Sequence, residues 1–180
     1  HLFLRPGLDV IQEFDGLHKF IGWNKVILTD SGGFQGWSIP NRFNDDGIEF
    51  KNIYDGSKFF MDPKLSMDIQ QTLNSDIAMI LDSLIDINKE YDEQLNAINT
   101  TQQWANIARN YHTNNNQSLF GIVQGGKHKE LREKSATDMM TIDFDGYAIG
   151  GLAIGETPEE RKEIVNFTVE MLPKEKLRDV

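Results

Sequence analysis

Val26-Ile27-Leu28-Thr29-Asp30-Ser31-Gly32-Gly33-Phe34-Gln35 opens as an apolar run and closes on an acid, a hydroxyl, two glycines, an aromatic ring and an amide. The run reads as a buried strand, and its polar end as a strand tip built to hold something. Glycine at 32 and 33 permits positive φ and lets backbone N–H groups approach a ligand with no Cβ in the way. The competing reading is a tight turn in which Asp30 only bonds its own backbone.

The pattern recurs three times downstream. Ile77-Ala78-Met79-Ile80-Leu81-Asp82 ends in an acid and precedes a helical pattern through Tyr91, Leu95, Ile98, Trp104, Ala108 and Tyr111. Leu119-Phe120-Gly121-Ile122-Val123-Gln124 ends in an amide and Gly125-Gly126, before a helix around Leu131 to Met140. Gly146-Tyr147-Ala148-Ile149 ends in Gly150-Gly151, and Thr157-Pro158-Glu159-Glu160 is a capping box that opens a helix through Ile164, Phe167 and Met171. Alternating strand and helix predict an α/β fold with a parallel sheet and helical crossovers.

Outside that alternation, Leu8, Ile11 and Phe14 sit at helical spacing, and Gly16 ends the element. Asp55-Gly56 lies between the apolar arms 47–50 and 58–61, a hairpin signal. Asp62-Pro63 reads as an N-cap followed by Pro at the first helical position, with Leu65, Ile69 and Leu73 on one face. Asn114 to Gln117 reads as a polar surface loop.

A chain of 180 residues with 39% hydrophobic content can bury one real core. It opens on His1 without an initiator Met and is expected to be an excerpt of a longer protein. Without cysteine it has no disulfide framework and no thiolate metal site of its own, which fits a cytoplasmic protein. No apolar run is long enough for a membrane span, so no membrane partner is expected. A net charge of -10 argues against nonspecific nucleic-acid binding by this portion, though a nucleic acid could still be a substrate.

In parallel α/β folds, ligands bind beyond the carboxyl ends of the strands. Here those ends carry Asp30, Asp82, Gln124 and Gly150-Gly151. Either acid alone reads as a helix cap. Gln124 is an unusual cap, and together the four offer acceptors, an amide that both donates and accepts, and approachable backbone donors. That set suits the edge of a nucleobase.

Several stretches, in order and at similar spacing, resemble the tRNA-guanine transglycosylase family. They are 1–7, Gly16-Leu17-His18-Lys19-Phe20, 28–35, Ser75-Asp76-Ile77, 119–126 and 146–156. The resemblance implies a TIM (β/α)8 barrel with a zinc-binding part, and exchange of the wobble guanine of certain tRNAs for a 7-deazaguanine. Such a barrel takes roughly 250 residues. These 180 are therefore expected to be the central part of the catalytic barrel, without an internal domain boundary, lacking the N-terminal strands and the C-terminal zinc-binding part.

By the same resemblance, Asp30 is the general acid/base and Ser31, Gly32 and Gly33 shape the pocket floor. Asp82 accepts from the N1–H and exocyclic amino group of guanine, while Gln124 and the Gly151 N–H donate to its carbonyl oxygen. Phe34 stacks on the base, and Gly150 and Leu152 complete the substrate-binding set. A second aspartate, the nucleophile that forms a covalent ribosyl-enzyme intermediate, is expected beyond Val180, as are the zinc ligands. His1, His18, His112 and His128 lack ligand spacing and read as surface or packing residues, so no metal residue is expected within the chain. Expected partners are tRNA, guanine, the 7-deazaguanine base (preQ1 or queuine) and, by resemblance, a second copy in a homodimer.

Two positions bear on which base is used. Ser83 and Leu84 depart from the bacterial pattern, which has glutamate and cysteine there, and an apolar residue is closer to the eukaryotic one. Ile154 stands where the eukaryotic pattern has a glycine, and its β-branched side chain would narrow the pocket, favouring preQ1 over queuine. A noncatalytic RNA-binding subunit of the same family, a related DNA deazaguanine transglycosylase, and a phosphate- or sugar-binding barrel fragment are the alternatives. Under the last, Asp82 and Gln124 should not converge.

Overall fold

The computed structural model describes residues 1–34 and 41–180, with the backbone alone at 41–43. Gln35, the end of the opening stretch, lies outside the described residues. Five strands form one parallel sheet: β1 (Leu28–Thr29), β5 (Ile77–Met79), β6 (Ser118–Val123), β7 (Gly146–Ile149) and β8 (Leu177–Asp179). Their spatial order is β1-β5-β6-β7-β8, the order in which the chain makes them.

Two short helices, α1 (Leu8–Glu13) and α2 (Leu17–Ile21), precede the sheet. The helices between its strands are α3 (Pro63–Leu73), α4 (Tyr91–Tyr111), α5 (Lys129–Ile142) and α6 (Pro158–Met171). From α3 onwards, consecutive helices pack on one another in the same sequence as the strands. Strands in chain order, with neighbouring crossover helices side by side, describe a singly wound sheet. A doubly wound sheet would reverse strand order at a switch point and send helices to both faces. The curled sheet is a segment of a TIM barrel, as the family resemblance implies.

Local chemistry accounts for the helix starts. The Asp62 carboxylate accepts from the Leu65 N–H at 2.7 Å, with Pro63 at the first helical position. Thr157 and Glu160 form the reciprocal capping box at the head of α6. The main core lies between sheet and helices, around Met67, Ile80, Phe120, Val123, Met139, Phe144 and Tyr147.

A second sheet, β2 (Asn41–Asn44), β3 (Gly47–Lys51) and β4 (Lys58–Met61), is inserted antiparallel between β1 and α3. The hairpin expected around Asp55-Gly56 joins β3 to β4. The β2–β3 hairpin was not expected. Its turn is held by the Asn44 Oδ1, which accepts from the N–H groups of Asp46 and Gly47, each at 2.9 Å. Buried Trp104 of α4 donates its indole N–H to the Asp45 carbonyl at 2.7 Å and so ties this insertion to the barrel.

Two further features differ from the sequence reading. The strand expected from Val26 is regular only at Leu28–Thr29, and Val26 is 70% exposed. Strand β8 and the short helix α2 were not expected.

Candidate functional site

Beyond the carboxyl ends of the strands lies a cavity of about 450 Å³, within the range of small-molecule sites. Its lining includes Asp30, Phe34, Asp82, Gly150, Gly151 and Leu152. Gln124 reaches the same place by hydrogen bonding, its side-chain amide donating to the Asp82 carboxylate at 2.5 Å. Four strand ends, spread over more than a hundred residues of sequence, thus converge on one hollow.

Among the described residues, neither acid caps a helix through its side chain. Asp30 is exposed and accepts from the Ser31 N–H at 2.8 Å, while Asp82 lies well before α4 begins at Tyr91. Ser31 is buried and its hydroxyl accepts from the Gly33 N–H at 3.2 Å. Gly33 sits flush against the buried acid, since a Cβ there would lie 2.4 Å from an Asp82 carboxylate oxygen. Gly32, by contrast, lines a neighbouring apolar hollow with Phe3, Phe50 and Phe59.

The ends of β1, β5, β6 and β7 are pinned by buried polar side chains of α3, α4 and α5, which sequence reasoning did not anticipate. Gln70 of α3 donates to the carbonyls of Thr29 and Met79. The Thr101 hydroxyl of α4 accepts from the Ser83 N–H at 3.0 Å, and the Ser135 hydroxyl of α5 accepts from the Gln124 N–H at 3.0 Å. Arg132 of α5 donates to the carbonyls of Val123, Gly126 and Gly150. The only sequence signal was a polar residue on the inner face of an amphipathic helix, a position normally apolar.

Electrostatics separate the carboxylates. Burial pushes the Asp82 carboxyl up to about 7 from its ordinary 3.8; the Asp30 charge adds to the rise, and the Gln124 hydrogen bond opposes it. Glu156, on the loop after β7, goes the other way. Burial would raise it, but the N–H groups of Ala153 and Ile154 and the Arg161 guanidinium hold it at about 2. Its carboxylate is a fixed anion that shapes the loop following Gly151.

Leu84 lines the cavity, and Ile154 is buried in an apolar cluster with Leu84, Ile87 and Ile164, against which Leu152 packs. His18 bonds the Trp23 carbonyl and Asp76, His112 bonds Gln117, and His128 lies edge-on to Tyr91. Among the described residues, no group of three or more His, Cys, Asp or Glu is disposed to hold a metal ion. None of the described helices is long and apolar enough to cross a membrane.

The whole chain, residues 1–180, matches the family described as queuine tRNA-ribosyltransferase. This chain belongs to that family. It is 44% identical to the queuine tRNA-ribosyltransferase of Acinetobacter baylyi, 45% to that of Bacillus subtilis and 47% to that of Thermotoga neapolitana. Each match covers 99% of this chain and 47–48% of the relative. The chain therefore spans about half the length of the queuine tRNA-ribosyltransferases it matches.

Proposed function

We propose that the full-length protein is a tRNA-guanine transglycosylase, and that residues 1–180 are the central part of its catalytic barrel, with no internal domain boundary. The observation that carries this reading is the Gln124 to Asp82 hydrogen bond at 2.5 Å, beside a cavity that Asp30 also lines. A phosphate, itself an anion, has no need of a buried acid paired with an amide. A guanine edge does, because its N1–H and amino group need one acceptor pair and its carbonyl needs donors.

Asp82 takes the two base donors. The Gln124 amide has two N–H groups; one goes to Asp82 and the other is available to the base carbonyl, together with the Gly151 N–H. Phe34, 43% exposed at the cavity wall, stacks on the base, a contact worth ~1–3 kcal/mol. Asp30, the more exposed acid, moves the proton of the departing or incoming base. Ser31 and Gly33 hold the floor beneath Asp82. The target nucleotide must leave its stack to reach this depth.

The covalent step follows the logic of a retaining glycosidase, with a carboxylate attacking the ribose C1′ while another manages protons. That nucleophile is expected outside this chain. The zinc implied by the family finds no fitting ligand cluster among the described residues, so its holders are expected elsewhere in the full-length protein and none of these steps runs through it. preQ1 is favoured over queuine because the β-branched Ile154 is buried in the apolar cluster with Leu84, which lines the cavity, where a glycine would leave room for a larger base. The setting is the cytoplasm and the assembly a homodimer, both on the family resemblance.

Incorporation of labelled guanine into tRNA by the full-length protein tests the proposal, with Asp30→Asn as control. Incorporation that requires Asp30 supports it. Folded protein that incorporates no guanine overturns it.

A further inference from the structure

Arg132 is 1% exposed, and neither acid/base chemistry nor base binding, as described, uses it. A charged side chain at such depth is costly to desolvate unless its hydrogen bonds compensate. An apolar residue would fill the inner face of α5 without that penalty.

Its hydrogen bonds point to what it does. The guanidinium donates to the Gly126 carbonyl at 2.9 Å, the Val123 carbonyl at 3.3 Å and the Gly150 carbonyl at 2.9 Å. It therefore bridges the carboxyl ends of β6 and β7, beyond the point where their parallel ladder stops at Val123 and Ile149. One terminal nitrogen is left without a partner among the described residues, so the fork is fitted to this backbone rather than saturated by it. Burial lowers the group to about 10, opposed by Glu156, which leaves it a cation at neutral pH.

The Gly150 carbonyl and the Gly151 N–H belong to one peptide plane and point in opposite directions. When Arg132 draws the carbonyl towards α5, the N–H faces away from α5. Gly151, at φ +68°, is followed by the loop that Glu156 braces, and both glycines line the cavity. The Gly151 N–H has no acceptor among the described residues. A polarised backbone donor without a partner, at the wall of a cavity, is aimed at a ligand acceptor.

We propose that Arg132 is a positioning residue for base recognition: by holding the Gly150 carbonyl it turns the Gly151 N–H towards the carbonyl oxygen of the bound purine. This rests on the base-exchange reading above. Lysine cannot substitute, because a point ammonium cannot span both strand ends as a planar fork does.

The test compares the affinity of the full-length protein for guanine and for 6-thioguanine, which keeps the N1–H and the amino group but offers weakly accepting sulfur in place of the carbonyl oxygen. Arg132→Lys should weaken guanine about tenfold or more, the equivalent of one such hydrogen bond. It should weaken 6-thioguanine far less. Arg132→Met, which removes the charge at similar length, keeps the test open if a buried lysine prevents folding. Met139→Ala, a core change on the same helix, controls for destabilisation and should not alter the ratio of the two affinities. Folded Arg132 variants that lose both ligands equally, or neither, overturn the inference. Wild-type protein that binds no guanine instead overturns the proposed function, so the two failures are distinct.

Discussion

Replacing Asp82 by asparagine should stabilise the base-free protein at neutral and alkaline pH while removing base recognition. Asp82 is 6% exposed, and its carboxyl is raised from 3.8 to about 7, first by burial and then by the Asp30 charge. An acid with a raised folded-state pKa favours the fold only while it is protonated. The contribution is complete below about pH 4 and is lost as pH rises to about 7. At about 1.4 kcal/mol per pKa unit, ionised Asp82 costs the fold on the order of 4 kcal/mol above that window.

The substituted amide carries no charge, yet its carbonyl can still accept from Gln124. Thermal unfolding of the full-length protein and Asp82→Asn from pH 4 to 8 is the assay. The melting temperatures should approach each other near pH 4 and diverge towards pH 8, the variant being the more stable. Parallel profiles would refute the reasoning. Guanine supplies two donors to the ionised form, so wild-type affinity for guanine should rise as pH passes through about 7, and the variant should show neither the affinity nor the rise.

Asp30→Asn, at an exposed carboxylate that accepts from its neighbour's N–H, should abolish turnover and leave the melting temperature within about a degree or two. Steady-state exchange alongside a melt checks both halves. Glu156→Gln removes an anion held at about 2 by two backbone N–H groups and Arg161, and should cost up to about 3 kcal/mol at pH 7. Because that pKa is depressed, the cost should fade as pH falls from 4.5 towards 2; urea denaturation across that range measures it. Ile154→Gly empties a buried site packed on Leu84 and should shift competition between preQ1 and queuine towards queuine, at a stability cost of about 3 kcal/mol or more.

The sheet was legible because each of its inner strands is an apolar run ending in a polar punctuation mark: Asp82, Gln124, Gly150-Gly151. Periodicity and end chemistry agree there, so the strand ends, and with them most of the cavity wall, could be named in advance. Strand β8 escaped because Leu177 and Arg178 are exposed and only three residues pair, leaving no apolar run to read. The β2–β3 turn hangs on one Asn44 side chain, and its two central residues are Asp45-Asp46, the glycine of Asp46-Gly47 already belonging to β3. Arg132, Gln70, Thr101 and Ser135 were invisible for a different reason. Each is a polar residue on a helix, and only the strand end it pins, far away in sequence, gives it a purpose.

Gln124 shows what sequence chemistry could and could not reach. Its residue type and its glycines read as an exposed amide; the structure corrects this, burying the amide against Asp82, to which it donates. Gly32 shows the opposite, since its place in the quoted motif did not reveal that it faces the neighbouring hollow.

The most direct measurement is a crystal structure of the full-length protein with guanine bound. The account predicts the base in the cavity between Asp30 and Gly151, with both Asp82 oxygens on its N1–H and amino group, and Gln124 and the Gly151 N–H on its carbonyl. A base bound with Asp82 still engaged only by Gln124, or bound outside this cavity, would contradict it.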